Sequence, residues 1–453
     1  MRRWMLAAVI ATLPQAAVWA APLSGEQAAV HVLNRLAYGP RPGDIERVRQ
    51  AGVAAYIDEQ LNPPPLPPAL AQRLDKLETL KMSAGDALQR FQDARQGEQG
   101  ERREVVQQLA AEAAEARLLR AVESPRQLEE VMVDFWYNHF NVFAGKGQDR
   151  ALVASYERDA IRPYVFGSFR QMLGATAHHP AMLFYLDNWV SKAGGLNENY
   201  ARELMELHTL GVDGGYTQKD VTELARMLTG WTYRPKRDAQ FAFDPRRHDT
   251  GSKTWLGKTV GARGAAEGEY ALDVLAVHPS TARNISRKLA QYFVADQPPP
   301  ALVERMAQTW IGSNGDIRSV LRTLFSSPEF MDQQYAGAKF KTPYQFVVSA
   351  SRASAMPVAD VKPLVGILSR LGQPLYGCQT PDGYKNTESA WLNPDGLSRR
   401  ISYAMSLSSG ADAATVQDAL GASVSKNTAS IVAGSNERLR AAMLLGSPDF
   451  MQH

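Results

Sequence analysis

Cysteine is nearly absent from this chain: Cys378 is the only one in 453 residues. A lone thiol excludes an intrachain disulfide framework, so stability must come from a packed core, and the 45% of residues that are apolar can supply one. Beyond the N-terminus no apolar run is long enough for a membrane helix. An excess of charge of either sign is also lacking. The formal net charge of +3 falls to +1 when Arg2 and Arg3 are set aside, which leaves no electrostatic case for nucleic acid or anionic lipid as the main partner. A Gly-x-Ser-x-Gly elbow, a Walker loop and a dinucleotide fingerprint are all missing. The stretches Asp213–Asp220 and Ser313–Asp316 lack the alternating acids of an EF-hand loop. Thr217 with Asp220, and Asp316 alone, read instead as helix caps.

What is present begins with a leader. Arg2 and Arg3 precede an apolar stretch over Trp4 to Val18, and the small residues Ala20 and Ala21 follow. This is the layout of a secretory signal cut after Ala20 or Ala21, chosen over an uncleaved anchor because the apolar run is short and interrupted. The expected location is periplasmic or secreted.

Apolar residues then recur at three- and four-residue spacing, as in Leu128, Val131, Met132 and Phe135, or Leu204, Leu207 and Leu210. That is the helical period. Strand-like alternation is confined to a short stretch around Trp255 to Val260, which reads as a hairpin. The expected fold is mainly α, a compact multi-helix fold with at most a small β-hairpin. Residues 1–21 read as the leader and 22–453 as one helical domain. An irregular insertion lies near 235–268, a second break runs from Gln373 to Pro394, and a helical C-terminal part follows about residue 336.

The densest polar run is Asn197 to His208. On a helix, Asn199, Glu203 and Glu206 share one face, while Arg202 lies four residues from both Glu198 and Glu206. Two readings stay open: an intrahelical ion-pair ladder, or a site in which Glu203 and Glu206 act as acid and base or bind a cation with a histidine from elsewhere. A second run, Asp134 to Asn141, places His139 on the apolar line of Met132 and Phe135, where a buried, hydrogen-bonded histidine is the commoner outcome. His178 and His179 precede Pro180 and read as a helix entry. The irregular segment gathers Arg246, Arg247, His248, Asp249 and Lys253, a mixed cluster suited to either solvent or an anionic or hydroxyl-rich ligand.

The chain resembles the bacterial family catalogued as domain of unknown function 1800. The resemblance rests on His31-Val-Leu-Asn-Arg-Leu-Ala-Tyr-Gly39, Phe135-Trp-Tyr-Asn-His-Phe140, Leu186-Asp-Asn188, the run Asn197 to Gly211, Gly215-Tyr-Thr217, Gly230-Trp231, His248-Asp249, Lys253, Ser327-Pro-Glu-Phe330 and Trp391-Leu-Asn-Pro394. It implies an exported helical protein, often encoded beside a sulfatase-like exported protein that is a candidate partner. It implies no activity and supplies no catalytic residue.

These readings combine into one expectation: Phe135–Asn141, Asn197–His208 and His248–Lys253 converge on one polar cleft of an envelope or extracellular hydrolase. Glu203, Glu206, Arg202, His139 and Lys253 would carry the chemistry, with Arg202 and Lys253 stabilising anions. If a divalent metal is the cofactor, Glu203, Glu206, His139, His208, His248 and Asp249 would be its ligands. The alternative is a non-enzymatic binding or assembly protein working with the sulfatase-like partner, its polar run merely tying helices together.

Overall fold

The computed structural model describes residues 22–97, 99–235, 237–407 and 410–453; the leader expected over 1–21 lies outside them. The fold is mainly α-helical. The helical period is realised where the sequence carries it: Leu128, Val131, Met132 and Phe135 are all buried on the helix Gln127–His139. Helix boundaries follow local chemistry. Thr217 and Asp220 form a capping box at the start of Gln218–Met227, and Asp316 accepts the Ser319 N–H to open Ile317–Phe325. His179 accepts the Ala181 N–H through Nδ1 and opens Pro180–Tyr185, the helix entry its position before a proline suggests.

The hairpin expected near Trp255 pairs Lys253–Trp255 with Lys258–Val260. A second antiparallel pair joins Trp231–Tyr233 to Phe241–Phe243. Three residues such as Trp-Thr-Tyr are too few to register as alternation in sequence, yet Trp231 and Tyr233 are buried and Thr232 is not, which is the strand period. Three of the four strands fall within residues 235–268.

One apolar cluster runs from Ala29 to Met451. The first and last described segments are tied to one region of the chain: Leu23 donates its N–H to the Met331 carbonyl at 2.9 Å, and His453 exchanges backbone hydrogen bonds with Lys339 at 2.8 and 3.2 Å. The long helix Gln99–Glu123 packs against Pro343–Ala353. Between them lies a buried ionic knot in which Arg117 reaches Asp134 at 2.6 Å and Glu157 at 3.0 Å, and Arg162 holds Glu157 and Glu130 at 2.9 and 2.8 Å. Each charge there has a counter-charge, the condition under which ions are tolerated in a core. The knot fixes the helix Gln127–His139, which forms one wall of the principal cleft.

Candidate active site

Four elements enclose a cleft of about 520 Å³. The helix Gln127–His139 contributes Asp134, Phe135, Asn138 and His139. The end of Asn199–Glu206 contributes Glu206 and Leu207, the helix Pro279–Phe293 contributes Asn284, Arg287, Lys288, Gln291 and Tyr292, and the loop over residues 373–387 closes the remaining side.

Asparagines of the Asp134–Asn141 run hold that loop in place. Asn138 donates through Nδ2 to the Tyr384 carbonyl at 2.9 Å and accepts the Tyr384 N–H on Oδ1 at 2.7 Å. Asn141 donates to the carbonyls of Cys378 and Thr380 at 3.0 and 2.9 Å. Gly383 sits at φ +68°, and a Cβ there would collide with the Asn138 carbonyl, so this turn requires glycine on both counts.

His139 is buried and hydrogen-bonded, stacked parallel to Phe135 with ring centroids 6.3 Å apart. Its Nε2 lies 3.1 Å from the His208 carbonyl and its Nδ1 lies 3.3 Å from Lys288 Nζ. A carbonyl can only accept and an ammonium can only donate, so the proton sits on Nε2 and the lone pair of Nδ1 faces the lysine. Burial, then the Lys288 charge, holds this ring well below the usual histidine range, and it is neutral. The tautomer is therefore set by a backbone carbonyl on one side of the ring and an ammonium on the other. Lys288 also donates to the Leu207 carbonyl at 3.0 Å, and burial lowers its pKa to about 8.

On the opposite wall, Glu206 faces the cleft and Glu203 stands half-buried one turn before it. Burial, then the neighbouring Glu206 carboxylate, raises the Glu203 pKa above its ordinary value, with Asp382 adding in the same direction. Asp134, at the far end of the cleft, is raised by burial too, although Arg117 opposes the shift. Arg202 turns away from this wall: it pairs with Glu198 at 3.1 Å and donates to Gln218 at 2.9 Å. The ladder expected of Arg202 is thus realised toward Glu198 only.

Not all the expected residues meet here. His208 is sealed beneath Phe140, 5.1 Å between ring centroids, with both ring nitrogens unpartnered, and burial lowers it to about 3. The third run stands apart: no residue of His248–Lys253 lines the cleft. Lys253 is fully buried and pairs with Glu267 at 2.6 Å, while His248 bridges the Thr229 carbonyl at 2.8 Å and Glu267 at 3.2 Å. Asp249 takes both arms of Arg226 at 2.9 and 3.1 Å, which holds it down to about 2. These are closed contacts between the irregular segment and the helices Gln218–Met227 and Ala266–Ala276. They correct the expectation of a single convergent cleft. Lys253 is engaged by Glu267 and Arg202 by Glu198, and neither lines the cleft.

The six proposed metal ligands are divided in the same way. Among the described residues, no group of three or more His, Cys, Asp or Glu side chains is placed to hold a metal ion. His139 spends both nitrogens on other partners, and His248 and Asp249 lie outside the cleft.

Lys288, Arg287 and the loop residues Asp382, Tyr384 and Lys385 were not singled out in sequence. The lysine sits in an ordinary amphipathic helix, and its distinction comes only from the side chains packed around it. The loop did carry a signal in Asp382-Gly383, a turn dipeptide within an otherwise unpatterned break.

The chain belongs to the family described as protein of unknown function (DUF1800), whose model matches residues 31–452. No curated protein and no solved structure matches it.

Proposed function

We propose that this member of the family is an exported hydrolase, acting in the periplasm or outside the cell, whose working site is the cleft between Gln127–His139 and Pro279–Phe293. The observation that carries this reading is the pairing of Glu206, which faces the cleft without a hydrogen-bond partner among the described residues, with Glu203, whose proton is held more tightly by burial and by Glu206 itself. Two neighbouring carboxyls, one of which is buried so that it holds its proton more tightly, are suited to opposite halves of one reaction. Glu206 takes a proton from water as the water oxygen bonds to the scissile centre, and Glu203, one turn behind Glu206 and outside the cleft lining, delivers its proton to the departing group by way of a water molecule. His139, held neutral, keeps Lys288 in position at the opposite wall. The basic pair Arg2 and Arg3 followed by the apolar stretch Trp4 to Val18, the layout expected of a secretory leader, supports the location.

The test is hydrolysis of ester, glycoside and peptide panels by the wild type and by a folded Glu206→Gln variant. Removal of the base should slow turnover by about 100- to 10,000-fold. A variant that turns over as fast as the wild type rejects the assignment.

A second reading, a binding or assembly protein acting with a sulfatase-like exported partner, has its own support. An apolar groove of about 350 Å³ lies between the helices Pro394–Leu407, Lys426–Ala433 and Glu437–Leu445, and Ile401, Ile431 and Leu439 are exposed along it. Contiguous exposed apolar surface of this kind marks interaction sites. It stands away from the polar cleft, so both readings can hold in one molecule.

A further inference from the structure

The charges around the cleft do not cancel. Lys385 is neutralised by Asp382 at 2.5 Å, and Asp134 is held by Arg117 at 2.6 Å. Arg287 and Lys288 have no carboxylate within salt-bridge distance among the described residues. They lie on a helical face with Asn284 and Gln291, spaced three, four and seven residues from Asn284, and all four side chains line the cleft. The ammonium of Lys288 is partly withdrawn from water, and two of its protons are directed to neutral acceptors, the Leu207 carbonyl and His139 Nδ1. A cation partly withdrawn from water, with only neutral hydrogen-bond partners, lacks a counter-charge at contact distance, and this one faces a cleft that can admit one.

We infer that a substrate oxyanion, a carboxylate, sulfate or phosphate group, occupies the cleft between Lys288 and Arg287 and supplies the missing counter-charge. The guanidinium offers a planar fork to two oxygens and the ammonium a point charge with one free proton, and the carboxamides of Asn284 and Gln291 flank them to take neighbouring hydroxyl or amide groups. The substrate is thereby defined as an anionic, hydroxyl- or amide-bearing molecule. The anion sits opposite Glu206, which places the scissile bond between the charged wall and the carboxyl wall. This inference rests on the cleft being the working site, and it assigns to Lys288 and Arg287 the anion-holding role that Lys253 and Arg202 cannot fill.

The groups facing Lys288 are His139, a neutral acceptor, the cations Arg287 and Lys385, which oppose its charge, and Asp382, which favours it from beyond salt-bridge distance; none supplies a counter-charge in contact with the amine. An arriving anion does, and this gives a readout independent of turnover. Pulsed acetylation of the wild-type protein across pH, followed by peptide mass spectrometry, measures the proton affinity of each lysine amine. It is run in acetate, sulfate and phosphate separately, each against chloride at matched ionic strength to remove screening. The expected result is that at least one of the three anions raises the Lys288 pKa by about one unit, cutting its labelling near pH 8 about fivefold, while Lys385 is unaffected. Arg287→Gln should weaken that protection without changing the fold, and the effective anion identifies the source. Equal labelling of Lys288 in all three anions and in chloride overturns the inference, as does protection that Arg287→Gln leaves intact. A Glu206→Gln variant that keeps both full turnover and anion protection would reject the hydrolytic assignment while leaving the anion site standing.

Discussion

Asn138 grips Tyr384 by both ends of one carboxamide, accepting its N–H at 2.7 Å and donating to its carbonyl at 2.9 Å across 246 residues of sequence. A side-chain amide used in this way imitates a β-bridge. It joins the loop over residues 373–387 to the helix Gln127–His139, and the cleft exists because the joint holds. The aromatic run that carries the family resemblance therefore builds the wall of a site, with its asparagines positioning the loop and its histidine positioning a lysine.

Asn138→Ala should loosen the loop. Two hydrogen bonds are lost, and the backbone groups of Tyr384 must find water, at a cost of about 1–3 kcal/mol. Gly383→Ala should act in the same direction, since the new methyl would meet the Asn138 carbonyl. Urea denaturation and hydrogen exchange over residues 378–387 read both effects. Unchanged exchange in this loop would show that the clamp does not hold it.

Glu203 is raised by burial and by its neighbour Glu206. Replacing Glu206 with Gln removes that neighbouring charge and should lower the Glu203 pKa, visible as an acid-ward shift of its carboxyl carbon titration by NMR. If the titration does not move, the two carboxyls are uncoupled and cannot divide acid and base roles in the way proposed.

His31, His179 and His208 are buried with pKa values lowered to about 3, in each case chiefly by burial. The folded protein leaves them neutral below their ordinary value of 6.5, whereas the unfolded chain protonates them. Unfolding takes up protons between those limits, so stability is complete above pH 6.5 and declines as pH falls toward 3. Each histidine contributes a slope of about 1.4 kcal/mol per pH unit in that window. Chemical denaturation across pH measures the sum. A His208→Gln variant that keeps the fold should flatten the slope by one histidine's share, and an unchanged slope would mean that His208 is protonated in the native state.

Lys253 and Glu267 form a pair with no solvent exposure on either side chain. Lys253→Met leaves a buried carboxylate facing a methyl group and should destabilise by about 3–5 kcal/mol, while changing both partners to apolar residues should recover most of the loss. Anion protection of Lys288 should be the same in the folded single variant as in the wild type. A selective loss of that protection at unchanged stability would place Lys253 in the working site after all.

The sequence by itself determined the helical class, because periodicity at three and four residues is a local property written into every amphipathic segment. It determined the capping boxes for the same reason: Thr217 and Asp220 are three residues apart and need nothing else. It also marked Glu203, Glu206 and His139 as candidates, since unusual density of polar groups in a helical run is visible along a line. Which of the polar runs meet was decided by tertiary structure alone. His248, Asp249 and Lys253 look as reactive in sequence as Glu206 does, but Glu267 and Arg226 close over them, and partners 14 to 23 residues away leave no spacing rule to read. Lys288 shows the converse. Nothing in its helix distinguishes it from its neighbour Arg287, and its chemistry arises only where the His139 ring and the Leu207 carbonyl, each distant in the chain, strip water from one amine without offering it a charge.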